Sequence, residues 1–128
     1  MVEALIAKLL ATSGITALVS SRIRPGMRAQ TDAAPVIVVN TISGGRKYNM
    51  AGEANIREAR VQIDCYATTW LAAKTIARAV ILTLSGVGFT QGAYTFQGSF
   101  LDAERDGFED ADPKLFRTSL DFRVWSNS

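Results

Sequence analysis

The chain has 128 residues, 48% of them hydrophobic and 20% charged, with a formal net charge of +2. That length suits one domain with a core that needs no staples, and so small and scattered a charge gives no argument for nucleic-acid binding. One cysteine excludes an internal disulfide, and the lack of histidine removes the commonest general base and the commonest zinc ligand.

Met1 to Ala11 is apolar but carries Glu3 and Lys8 and gives way to Gly14. It is too short to span a bilayer and has no basic start, so it reads as an amphipathic helix and not a signal peptide. Synthesis in the cytoplasm without a targeting segment is the expectation. Leu5, Ile6, Leu9 and Leu10 form its stripe, and Ile15 to Ser20 has room for a second short helical turn. Pro25-Gly26 marks a turn, and Met27 to Ala34 reads as loop. Pro35 opens Val36 to Ile42, a β-branched run that is apolar on both faces, as an interior strand would be, with proline tolerated only at its first position.

Residues 43–55 contain Gly44, Gly45, Asn49 and Gly52 beside Arg46, Lys47 and Tyr48. This reads as a flexible basic loop or the tip of a projecting hairpin, and loops of such length are usually functional or disordered. Arg57 to Ala67 is the next strand. Thr68 or Thr69 caps the main helix, whose stripe is Trp70, Ala73, Ile76, Ala77, Val80, Ile81 and Leu84, with Lys74 and Arg78 on the outer face. Gly86 supplies its stop. Tyr94, Phe96, Gly98 and Phe100 alternate with Thr95, Gln97 and Ser99, a strand expected to bulge at Gly98. An acidic hairpin turn from Asp102 to Asp112 precedes the last strand.

That last strand, Lys114 to Trp125, has the clearest pattern. Phe116, Thr118, Leu120, Phe122 and Val124 fall on one side, and Leu115, Arg117, Ser119, Asp121, Arg123 and Trp125 on the other. Arg60, Gln62, Asp64 and Tyr66 alternate in the same way with Val61, Ile63 and Cys65. Period-2 alternation puts one set on a core and the other on the far face of the sheet. The order helix, strand, strand, helix, strand, strand predicts an α+β fold: one domain, residues 1–128, with a largely antiparallel β-sheet and two main helices packed on one face.

No segment makes a convincing catalytic or ligand site. Asp102 to Asp112 has the acids of a calcium loop, but Pro113 stands where a bidentate carboxylate is required and the flanks read as strands. The glycines from Gly86 to Gly92 follow a helix, where a dinucleotide fingerprint follows a strand, so they read as a turn. Ser43 to Lys47 lacks the spacing of a phosphate loop. Cys65 is expected to be a buried, inert thiol. The polar sheet face of Arg60, Gln62, Asp64, Tyr66, Arg117, Asp121, Arg123 and Trp125 is the candidate functional surface. Water-exposed strands are often polar, but aromatic and arginine side chains together favour a protein contact. Alternating charge signs suit pairing between neighbours better than recognition of a polyanion.

Taken in order, Arg60-Val-Gln-Ile-Asp-Cys-Tyr-Ala67, the helix after it, Asp102-Ala-Glu-Arg-Asp106, Glu109-Asp110 and Leu115-Phe-Arg-Thr-Ser-Leu-Asp-Phe-Arg-Val-Trp125 resemble the tail-terminator (tail-completion) family of long-tailed bacteriophages, prophages and gene transfer agents. The N-terminal Leu/Ala helix, Arg22-Ile-Arg-Pro25 and Pro35-Val-Ile-Val-Val39 extend the resemblance over nearly the whole chain. It implies a virion protein of the tail or neck, assembled in the host cytoplasm. Such a protein forms a ring of its own copies, typically a hexamer, that caps the tail tube and joins it to the head–tail connector or stopper protein. DNA would pass through only transiently, and no cofactor, metal, membrane or catalytic turnover is implied. The polar face would then be a subunit interface or the lumen, and Arg46, Lys47 and Tyr48 would dock on the tail-tube protein. A head-completion or stopper protein of the neck, a cellular oligomeric adaptor, and a small enzyme using Asp64 or Glu104 as acid/base groups are the other readings.

Overall fold

The chain was analysed as a computed structural model, which describes residues 2–20, 22–26, 35–49, 52–85, 88–91, 94–109 and 115–127. The elements run α1 (Val2–Leu10), α2 (Ser13–Val19), β1 (Ile23–Pro25), β2 (Val36–Asn49), β3 (Gly52–Ala67), α3 (Trp70–Leu84), β4 (Phe89–Gln91), β5 (Tyr94–Glu109) and β6 (Leu115–Asn127). The strands form one sheet in the order β1-β2-β3-β6-β5-β4. Among the described residues only the β1–β2 pairing is parallel. The fold is therefore α+β with a largely antiparallel sheet, as the sequence predicts, and α2 adds a third helix.

The alternation in β3 and β6 sets the core. Their register runs without a break from Arg57↔Ser126 to Ala67↔Phe116, so every odd residue of β3 shares a face with every even residue of β6. Val61, Ile63 and Cys65 meet Leu120, Phe122 and Val124 there, joined by Ile37 and Val39 of β2 and Phe96 of β5. The helices close that face with Leu5 and Leu9 of α1, Ile15 and Val19 of α2, and Ala73, Ile76, Ala77, Val80 and Leu84 of α3. Two residues assigned to helical stripes sit at the rim instead: Leu10 is exposed, and Trp70 is half-exposed beside the Lys74 ammonium.

The short edge strands β1 and β4 have too few residues to show a period. Arg22 ties β1 to the start of β2, its Nε donating to the Pro35 carbonyl at 2.9 Å. Gly26, at φ +81°, turns the chain out of β1, which agrees with the predicted Pro25-Gly26 turn. The basic segment at 43–55 is the far part of a β2–β3 hairpin, paired to Asn49↔Gly52. The acidic segment is not a hairpin turn from Asp102. It continues β5 to Glu109, because the register slips between Leu101 and Ala103 and pairing with β6 then resumes to Leu115. The predicted bulge at Gly98 coincides with a shift between Phe96 and Gly98. The loop expected at Met27 to Ala34, the stop at Gly86 and the end of the acidic stretch at Asp110 to Asp112 lie outside the described residues.

Thr69 is the cap of α3. Its Oγ1 accepts from the Ala72 amide at 3.1 Å, satisfying a donor that the first turn cannot pair internally. Thr69→Ala is expected to cost about 1 kcal/mol in chemical denaturation, with Thr69→Asp retaining most of the stability.

Candidate interaction face

The face of the sheet opposite the helices is divided into two parts. Toward the β2–β3 hairpin it is an exposed network of ion pairs. Asp102 lies between Arg123, whose Nε approaches at 2.9 Å, and Arg60, whose Nη2 is 3.8 Å away. Arg105 donates to Asp121 at 3.1 Å. Trp125 packs edge-on against Phe100 with ring centroids 5.5 Å apart, and the Arg123 guanidinium lies 5.5 Å from the Trp125 ring. A hollow of about 250 Å³ opens among Ile42, Arg60, Gln62, Asp102, Arg105 and Asp121. Its two carboxylates, Asp102 and Asp121, are each held by a guanidinium. Exposed pairs of this kind contribute about 0–1 kcal/mol each, so they order the surface more than they stabilise the fold.

At the other end the face is buried. Asp64, 5% exposed, accepts from Gln62 Nε2 at 2.9 and 3.1 Å and from the Ser119 hydroxyl. Tyr66 and Leu115 pack with Val36 and Val38 in a second apolar cluster. This corrects the expectation of a uniformly polar face, because β2 is apolar on both sides and its second side needs cover. Asp64 and Tyr66 are therefore interior residues. Gln62 and Arg117 are partly buried. Arg117 lies over Gly107 in β5, where a Cβ would stand 2.9 Å from its Nη2, and its Nε is buried with no hydrogen-bond partner among the described residues.

Of the residues singled out from sequence, the structure brings Arg60, Asp121, Arg123 and Trp125 together at the exposed end. Asp102, Arg105 and Phe100 belong to the same patch and were missed. Reading Asp102 onward as a turn hid Asp102 and Arg105, although the alternating charges of Asp102 to Asp106 were a usable strand signal, and the shift between Phe96 and Gly98 turns Phe100 to the face opposite Phe96. Arg46 and Tyr48 have their backbones in the hairpin, opposite Arg57 and Glu53. The side chains of Arg46, Lys47 and Tyr48 lie outside the described set. Cys65 is buried, and desolvation, with Asp64 next to it, drives its thiol pKa far up, which fits an unreactive sulfur.

On the helix side, Lys74 is not an outer-face residue. Its Nζ lies 2.9 Å from Glu104 and 2.8 Å from Asp106, binding α3 to β5. Hydrogen bonds that the Lys74 ammonium donates to Asp106 and Glu104 hold it protonated above its usual range, and the one accepted from Lys74 holds the Asp106 carboxyl below its usual range. Among the described residues no three acidic, cysteine or histidine side chains cluster to hold a metal, and no helix is long and apolar enough to cross a membrane.

The same architecture occurs in a solved structure described as the virion of native gene transfer agent (GTA) particle. One of its chains matches with a TM-score of 0.78 at 16% identity, over 100% of this chain and 95% of that one. This likeness defines the class of fold. No match was found among curated proteins. Residues 3–127 match the family described as tail completion protein gp17, and the chain belongs to that family of structural phage tail proteins.

The Lys74 pairs give a pH signature. Asp106, with its pKa lowered by folding, contributes stability above the unfolded carboxyl pKa of about 3.9 and loses it as pH falls through the folded value. Lys74, with its pKa raised, contributes fully below about 10.4 and loses this as pH rises through its folded value. Asp106 is 46% exposed, so solvent screening limits the gain. Lys74→Met is expected to lower the melting temperature slightly at pH 7. Its difference from wild type should narrow in acid, as Asp106 takes up its proton. A difference that stays constant from pH 7 down to acid would show that the pairs contribute nothing.

Proposed function

We propose that the protein is a tail terminator: a ring of its own copies, with six as the expected number, that caps the tail tube and presents a surface to the head–tail connector. The observation that carries this reading is the family match across residues 3–127. A ring uses a heterologous contact, one patch meeting a different patch on the next copy. The exposed end of the face, with Arg60, Asp102, Arg105, Asp121, Arg123, Phe100 and Trp125, supplies a subunit contact or the lumen wall. The end of the hairpin, with Arg46, Lys47 and Tyr48, meets the tail-tube protein. The action is stoichiometric, with no turnover. Committed ion pairs at Asp102 and Asp121 support this, because a general acid or base needs a carboxyl free to exchange its proton with substrate. The protein accordingly resides in the virion, after assembly in the host cytoplasm.

Native mass spectrometry and negative-stain imaging of the purified protein, alone and with its tail-tube protein, test the reading. A closed ring, alone or seated on tubes, is the expected result, and a monomer under both conditions would overturn it. Tyr48→Ala is expected to leave the ring mass unchanged while tails lose their defined length. Tails of normal length from that variant would remove the hairpin from tube docking.

A further inference from the structure

The sheet ends in two long open edges. β1 covers β2 only at Ile37 to Val39, and β4 covers β5 only at Tyr94 to Phe96. Among the described residues, no strand pairs with the outer edge of β2 from Asn40 to Asn49 or with that of β5 from Gly98 to Glu109. Unpaired edges of this length are templates for pairing with another chain. These two also differ in charge: Asn40 to Asn49 carries Arg46 and Lys47 and no acid, whereas Gly98 to Glu109 carries four acids and one arginine.

We propose that the two edges are partners: the β2 edge of one copy pairs with the β5 edge of the next, so that the sheets join into one continuous belt. The proposal rests on the ring reading given above and specifies its contact. Strand directions suit it. β2 and β5 run in opposite senses within a copy, since β3 is antiparallel to β2 and β6, and β6 to β5. Rotation about an axis along the strands keeps those senses, so the new pairing is antiparallel, the mode that needs no special connection. The contact is also heterologous, as ring closure demands.

Register follows from geometry. Each copy adds β2, β3, β6 and β5 to the belt, about 19 Å at about 4.8 Å per strand. A strand tilt of about 35–45°, usual for closed sheets, then staggers neighbouring copies by about four to six residues. Arg46 lies level with Ser126, through Arg57, and Ala103 lies level with Asp121. Taken in the sense that overlaps the two uncovered stretches, the stagger sets the backbone at Arg46 and Lys47 of one copy against the stretch around Asp102 to Glu104 of the next. The opposite sense would carry Asn40 to the level of Phe96, which β4 already covers, so closure admits only this one.

Cross-linking tests it, and buried Cys65 gives little background. Ala103→Cys is combined in turn with Gly44→Cys, Gly45→Cys, Arg46→Cys and Lys47→Cys, and assembled protein is oxidised. Facing strands bring Cα atoms to about 4.5–5.5 Å, within disulfide reach. The expected result is a ladder of linked multimers that peaks at one or two of the four positions and is absent from every single variant. Equal yield at all four positions would mean random collision and overturn the proposal. Rings by native mass with no cross-link at any position would overturn it while leaving the ring reading intact; absence of both rings and cross-links would remove both. Hydrogen exchange checks the occupant. Amides of Asn40 to Lys47 are expected to slow on self-assembly, and slowing only after the tail-tube protein is added would give the edge to that partner instead.

Discussion

Everything in this molecule is referred to one unbroken antiparallel ladder, β3 against β6. With no slip between Arg57↔Ser126 and Ala67↔Phe116, two strands of strict alternation lock their apolar residues onto one side. A one-residue slip of β6 would turn Leu120 and Phe122 to the face opposite Val61 and Ile63. The helices have a core to cover only because this register holds. β2 and β5 are then placed by the outer edges of the pair, and they carry the register shifts: between Thr41 and Ser43 and between Arg46 and Tyr48 in β2, and before Gly98 and before Ala103 in β5.

The ladder also decides what its polar residues can do. Arg60 and Arg123 are register partners, two like charges that would repel if left alone. Asp102, brought alongside by the slip in β5, lies against both. Two residues from Arg123 in β6, Asp121 stands opposite Ala103 and takes Arg105. The bulge thus converts a repulsive pair into a network, which gives the irregularity in β5 an electrostatic consequence. On the helix side the same strand offers Glu104 and Asp106 to Lys74, so successive residues of one acidic segment bind opposite faces of the sheet.

How far the sequence revealed this follows from the same physics. Strand β6 and the second half of β3 were legible because one apolar face and one polar face give a clean period of two. Helix α3 was legible from its three- and four-residue spacing and its threonine cap. The short strands β1 and β4 were not, since three residues carry no period. The Asp102 to Glu109 strand was missed because its composition is that of a turn, and β propensity is overridden where cross-strand partners supply the pairing. At the candidate site, residue types identified the face, but not its division. Asp64 looks as exposed as Asp121 in a list of alternating residues. Only the apolar second side of β2, with Val36 and Val38, signalled that part of the face needed cover.

That division bears on how a ring around DNA would behave. A channel wall of free arginines binds phosphates, and each neutralised phosphate adds a counterion-release gain that strengthens the hold on the genome. In the proposed ring, guanidinium groups at Arg60, Arg105 and Arg123 are already committed to Asp102 and Asp121, so a wall built from this end is charged but close to neutral. If the face instead meets a neighbouring subunit, the same internal pairing lowers the cost of desolvating its charges on assembly, since none enters the contact alone. Either way, the charges at this end are paired within the chain before any partner arrives, and among the described residues the outer edges of β2 and β5 are left largely without a strand partner.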